Sequence, residues 1–169
     1  MRVPRGLGLR IIVVMTHHSL LRLFRIAAVV VLGVGFVATS AHAQGAGVRA
    51  GVQVQPDQFY FGAHAETTPL IDRLTFRPNL EIGVGNDFTT LGFNFEFAYH
   101  FASTKPWNIY VGGGPALVTA RHRGTSSSGG GFNLLVGAQH SKGLFTEVKI
   151  GSVDSPDFKF GVGYAVKWK

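Results

Sequence analysis

The residues able to do chemistry in this chain are few and of restricted type. There is no cysteine, which excludes a thiolate metal site or nucleophile and any disulfide framework. Beyond the N-terminal segment the histidines are His64, His100, His122 and His140. His64 with Glu66, and Glu96 with His100, share a face at strand spacing. A metal site needs three or four converging groups, so the expected role is hydrogen bonding, with no metal or other cofactor. His140, Ser141 and Glu147 supply a base, a hydroxyl and an acid, but adjacent strand residues point in opposite directions and a nucleophile must lie within hydrogen-bond reach of its base. Ser141-Lys142-Gly143 reads instead as a hairpin turn. Gly112-Gly113-Gly114-Pro115 lacks the Lys-Ser/Thr and the helix of a phosphate loop and reads as a close-packing point in a strand. Arg121, His122 and Arg123 stand at the expected mouth of the longest loop. There Arg121 and Arg123 are candidates for a charge-assisted contact with phosphate groups, the alternative being a solvated loop end. A further set, Arg49, Glu66, Arg77, Glu81, Glu96, Glu147, Lys149 and Lys159, offers matched charges.

The elements that position these residues are strands. After Gln44 no helical period is present, and alternating runs recur between turn residues: Gly47–Gln55, Gln58–Glu66, Leu74–Gly85, Asp87–Phe101, Trp107–His122, Gly131–His140, Leu144–Gly151 and Phe158–Trp168. The breaks carry Pro, Gly, Asn, Ser or Asp, each with its own turn chemistry. Connections this short allow only antiparallel neighbours. The stretch Gly124–Gly131 is expected to be a flexible loop tip. In the run from Phe93 to Phe101 every second residue is aromatic, while Gly92, Asn94, Glu96, Ala98 and His100 occupy the opposite face.

The N-terminus reads as a targeting segment. Arg22 and Arg25 precede the apolar run Ile26–Ala38, and Ala41-His42-Ala43 supplies small residues before Gln44. Residues 1–43 are therefore expected to be a cleaved secretory leader exported through the Sec pathway, with Met1 or Met15 as its start, and residues 44–169 to be one barrel domain. The apolar run is shorter than the roughly 20 residues of a spanning helix. Five of the sixteen basic residues (Arg2, Arg5, Arg10, Arg22, Arg25) and none of the nine acidic ones precede Gln44. The remainder has eleven against nine, a net charge of +2, so the high overall charge is no signal for nucleic-acid binding.

Period-two alternation is shared by a soluble barrel with its aromatics inside and a membrane barrel with them outside. Three features favour the second. The polar face combines glycines with matched charges, which suits an interior only wide enough for side chains. The apolar face becomes aromatic toward strand ends, at Tyr99, Phe101, Trp107, Tyr164 and Trp168, as a lipid–water interface selects. Strands of about 9–12 residues cross a bilayer at a tilt. The expected fold is all-β, an eight-stranded antiparallel up-and-down transmembrane barrel, monomeric, with an ion-paired lumen too full for a diffusive pore.

The leader ending Ala41-His42-Ala43 and the closing strand Phe158–Trp168 resemble those of the small eight-stranded bacterial outer-membrane barrels, the superfamily of the OmpA transmembrane domain, OmpX and OmpW. The resemblance implies an outer-membrane location, with lipid and lipopolysaccharide as neighbours, and specifies fold and compartment far better than activity; the role expected is structural or adhesive, without enzymatic activity. Hydrophobic-ligand carriage, of OmpW type or by a soluble lipocalin-like barrel, is the alternative. The resemblance also implies a β-signal for the barrel assembly machinery on Gly163, Tyr164, Val166 and Trp168, although Lys169 follows the aromatic where the family usually ends. A lipid A-modifying enzyme is a further alternative. The His/Ser/Glu set of an outer-membrane lipid A deacylase resembles His140-Ser141 with Glu147, but that family places Ser two residues after His.

Overall fold

The computed structural model describes residues 43–86, 88–122 and 125–168. The leader, Met15, Ala41, Arg123 and Lys169 lie outside the described residues. The side chain of Ala43 does too, although its backbone opens the first strand.

Eight strands follow one another: β1 (Ala43–Val54), β2 (Gln58–Thr67), β3 (Leu74–Val84), β4 (Phe88–His100), β5 (Trp107–His122), β6 (Thr125–His140), β7 (Leu144–Val153) and β8 (Phe158–Lys167). Each pairs antiparallel with the next, and β8 returns to β1 from Gly45↔Lys167 to Val54↔Phe158, closing the barrel. Closure leaves the barrel wall without the open edges that make an isolated sheet prone to association. The start of β1, the end of β8 and the connections 68–73, 101–106 and 141–143 gather at one end. The other end carries residues 55–57, 85–86 and 154–157, with the end of β5 and the start of β6. At the tight 141–143 turn Gly143 takes φ +101° with its N–H on the His140 carbonyl, a conformation that excludes most side chains.

Alternation decides the faces. Along β4, Phe93, Phe95, Phe97 and Tyr99 are exposed while Asn94, Glu96 and Ala98 are buried. The same holds round the barrel: Arg49, Gln53, His64, Arg77, Asn79, Glu81, Asn133, Glu147, Lys149 and Lys159 point inward. The aromatics-inside arrangement of a lipocalin-like barrel is therefore absent, and that alternative is corrected.

Inward glycines explain how large side chains fit. Tyr110 faces Gly137 across β5–β6, Phe145 faces Gly163 across β7–β8, and His64 faces Gly47 across β1–β2. Each ring lies over its glycine: a β-carbon on Gly137 would stand 2.3 Å from Tyr110 Cζ, and one on Gly163 would stand 2.3 Å from Phe145 Cζ. Replacing Gly137 by alanine should cost about 1–3 kcal/mol through this overpacking, read as a lowered midpoint of urea unfolding. An unchanged midpoint would mean that the ring does not occupy that space.

Two expectations are corrected. Of the Gly124–Gly131 stretch expected as a flexible tip, Gly124 lies outside the described residues and the rest is strand, because β6 begins at Thr125 and pairs with β5 up to His122↔Thr125. Backbone ladder bonds need no side-chain pattern, and Thr119 and Ser128, opposite each other, add a hydroxyl contact of 2.9 Å. Nor is there a long loop beside Arg121 and His122. Both sit exposed on the last residues of β5, and β6 already begins at Thr125.

Candidate functional site

The interior of the barrel is a continuous polar column, built because every strand contributes its inward set at period two. Near the 55–57 turn, Gln53 Nε2 and Thr90 Oγ1 donate to Gln58 Oε1 at 2.6 and 2.8 Å. Below them amides pass hydrogen bonds from strand to strand: Asn133 Nδ2 to Asn94 Oδ1 (2.7 Å), Asn94 Nδ2 to Asn79 Oδ1 (2.6 Å), and Asn79 Nδ2 to Glu96 Oε2 (2.8 Å). The chain of donors thus ends on a carboxylate.

Around that carboxylate lies the ionic centre. Lys149 Nζ reaches Glu96 at 2.6 Å, Glu81 at 2.9 Å and Glu147 at 3.4 Å. Lys159 Nζ stands 2.7 Å from Glu81. Arg49 Nη1 pairs with Glu147 at 2.6 Å and Glu81 at 3.5 Å. Glu147 also takes Arg77 at 3.3 Å and the Tyr110 hydroxyl at 2.9 Å. Four cations here face three carboxylates, and ring faces take up part of the imbalance. The Arg77 guanidinium lies 4.9 Å from the Tyr110 ring centre, Arg49 lies 5.6 Å from Phe145, and Lys159 Nζ lies 5.7 Å from Tyr60. The guanidinium nitrogens lacking a hydrogen-bond partner among the described residues, Arg49 Nε and Nη2 and Arg77 Nε, belong to the two arginines placed over rings.

Of the charged residues named from the sequence, Arg49, Arg77, Glu81, Glu96, Glu147, Lys149 and Lys159 come together in this centre. Glu66 stands apart, near the end where β1 starts and β8 ends, bonded to Lys167 Nζ at 3.0 Å and 3.6 Å from His100 Nε2. Sequence reasoning missed the inward rings Tyr60, Tyr110 and Phe145. Their parity relative to the outward residues beside them, together with a glycine on the neighbouring strand, is the signal that would have found them.

The other candidates separate. His140 is on the rim, its Nδ1 accepting from Lys142 N at 3.1 Å and its ring edge-on to Trp107. Ser141 is exposed beside it, and Glu147 is engaged in the sealed centre, so the three do not form a catalytic set. His64 packs edge-on against Phe145. His100 Nδ1 is 3.0 Å from Asn108 Oδ1. Among the described residues no group of three or more His, Asp or Glu is placed to hold a metal ion. Gly112 and Gly114 lie where β4 comes closest, their missing β-carbons 2.1 and 2.0 Å from the carbonyls of Phe97 and Phe95. Gly163 is inward and partly buried, whereas Tyr164, Val166 and Trp168 are exposed on the outer wall.

A closed eight-strand antiparallel meander, charged within and apolar without, defines the class of fold. No protein-family model matches the chain, and no curated protein matches it. Solved structures do. Neisserial surface protein A (NspA) aligns with TM-score 0.60 at 16% identity over 73% of this chain and 95% of that one. The N-terminal β-barrel domain of Pseudomonas aeruginosa OprF gives 0.52 at 12% identity over 73% and 98%. The outer membrane enzyme PagL gives 0.51 at 13% identity over 73% and 99%. At these identities the likeness is one of fold.

Proposed function

We propose that this protein is a bacterial outer-membrane barrel with a structural or adhesive surface role and a packed, non-conducting lumen. The observation that carries the reading is the inversion of polarity. Large apolar side chains such as Val48, Phe61, Phe95, Leu134, Ile150 and Trp168 are more than a third exposed, while Glu96 and Asn133, at 0% exposure, belong to the interior. Water would drive such rows inside; only a hydrocarbon neighbour accommodates them. From Leu91 to Tyr99 the outer row of β4 covers about 27 Å along the strand, or roughly 21 Å across a bilayer at a tilt of about 40°, near the apolar band of about 25 Å of outer-membrane barrels. A closed ladder pairs each strand with both neighbours, supplying backbone hydrogen bonds that lipid cannot.

In this reading outer-membrane lipid and lipopolysaccharide are the partners of the outer wall, and Arg121 and Arg123 make contacts with lipopolysaccharide phosphates. Gly163, Tyr164, Val166 and Trp168 present the closing strand to the assembly machinery. The chain is exported through the Sec pathway, cleaved before Gln44, and works as a monomer. The test is fractionation with gel mobility. The protein should enter the outer-membrane fraction, resist carbonate extraction, and migrate faster unheated than boiled. Recovery in the soluble periplasmic fraction would overturn the reading. An enzymatic role is the competing reading, because one solved barrel of this fold is an enzyme. Mass spectrometry of lipid A from cells with and without the gene separates the two, an unchanged spectrum being expected here.

A further inference from the structure

At the end of the barrel where β1 starts and β8 ends, the polar column opens into a cavity of about 640 Å³, within the size range of small-molecule sites. Each of the three connections at this end contributes one cation to its lining: Arg73, Lys105 and Lys142. Lys167 at the end of β8 adds a fourth. Two of these are already engaged. Lys167 bonds Glu66, and Arg73 stands 3.7 Å from the exposed Asp72. Lys105 and Lys142 have no ion pair among the described residues and are exposed. The opposite end is mixed, with Asp57, Asp154 and Asp157 beside the exposed Arg121. What sets this mouth apart is four cations lining one cavity, two of them without a carboxylate partner among the described residues.

The floor is chemically different from the rim. It holds buried Glu66, His100 within 3.6 Å of it, and Asn108 on His100. A bare anion driven to this depth would meet a carboxylate. A ligand that satisfies both levels carries its negative group at the rim and presents hydroxyl or other donor groups inward. Cations arriving from three separate connections suit the three oxygens of a phosphate monoester better than the two of a planar carboxylate.

We infer that this mouth binds a small phosphomonoester bearing hydroxyl groups, with Lys105 and Lys142 on the phosphate and Glu66 and Asn108 toward the hydroxyls. The inference does not depend on which compartment the mouth faces, and its failure would leave the membrane reading intact. The site can draw such a ligand from solution or from a phosphate-bearing lipid headgroup.

The test is titration of the detergent-folded protein with glycerol 3-phosphate, followed by amide chemical shifts of the 101–106 and 141–143 segments. Saturable shifts confined to this end are expected, weaker at high salt. The affinity should fall about tenfold in the Lys105→Gln/Lys142→Gln double variant, the loss of two exposed charge contacts, and stay unchanged in Asp57→Asn at the other end. Both variants change exposed residues, and retained heat-modifiable mobility shows that they fold. Displacement by short-chain lysophosphatidic acid, which keeps a free hydroxyl beside its phosphate, assigns the headgroup as source, and its absence assigns a free solute. No saturable shift, or affinity unaltered in the double variant, would overturn the proposal.

Discussion

Replacing Glu147 with glutamine should destabilise the barrel by about 3–5 kcal/mol, the cost of leaving buried charge without its partner. Glu147 accepts from Arg49 at 2.6 Å and the Tyr110 hydroxyl at 2.9 Å, and faces Arg77 at 3.3 Å. The size of the effect follows from the partners. A buried lysine can release its proton when its counter-charge is removed, whereas a guanidinium cannot. Loss of Glu81, whose nearest partners are Lys149 and Lys159, should therefore cost less than loss of Glu147. Glu66→Gln should cost less again, about 1 kcal/mol or below, because its partner Lys167 can turn to water. Urea unfolding in lipid vesicles, followed by the emission of Trp107 and Trp168, measures all three. An order other than Glu147, Glu81, Glu66 would contradict the placement of the ionic centre.

The second large effect is on the outer wall. Leu134 is 59% exposed, lies between Phe132 and Val136 on its own strand, and is paired with Ile150 of β7. Arginine at this position should cost about 2–4 kcal/mol in a bilayer, falling to about 0–1 kcal/mol for arginine at Ser126 beyond the apolar band. In a water-facing wall both changes would be nearly neutral or favourable. The gradient between the two positions, measured in the same vesicles, is the informative quantity.

Much of this architecture was legible because strand parity is strict. Once Phe93, Phe95 and Phe97 fall on one face, Asn94 and Glu96 can only fall on the other, and the turn residues between runs count the strands. Legibility failed where parity carries no hydrophobic contrast. Thr125–Gly130 is polar and small on both faces, so its ladder with β5 left no pattern in side-chain type. Parity also says which way a side chain points but not how deep it lies. Glu66 and Glu147 are alike in the sequence, yet one lies near the mouth and the other at the centre, because depth depends on stagger between strands far apart in the chain. The interior rings were obscured for a related reason: Tyr60 and Tyr110 stand beside outward aromatics and valines, and only the glycines they cover mark them as inward.

The most direct measurement of the central claim uses the absence of native cysteine. Single cysteines introduced in turn at positions 132–136 and labelled with a nitroxide report accessibility to oxygen dissolved in lipid. High accessibility at 132, 134 and 136, with protection at 133 and 135, is the predicted result. Uniform accessibility, or lipid contact at 133 and 135, would contradict a barrel that turns its apolar rows to hydrocarbon and its charges to the axis.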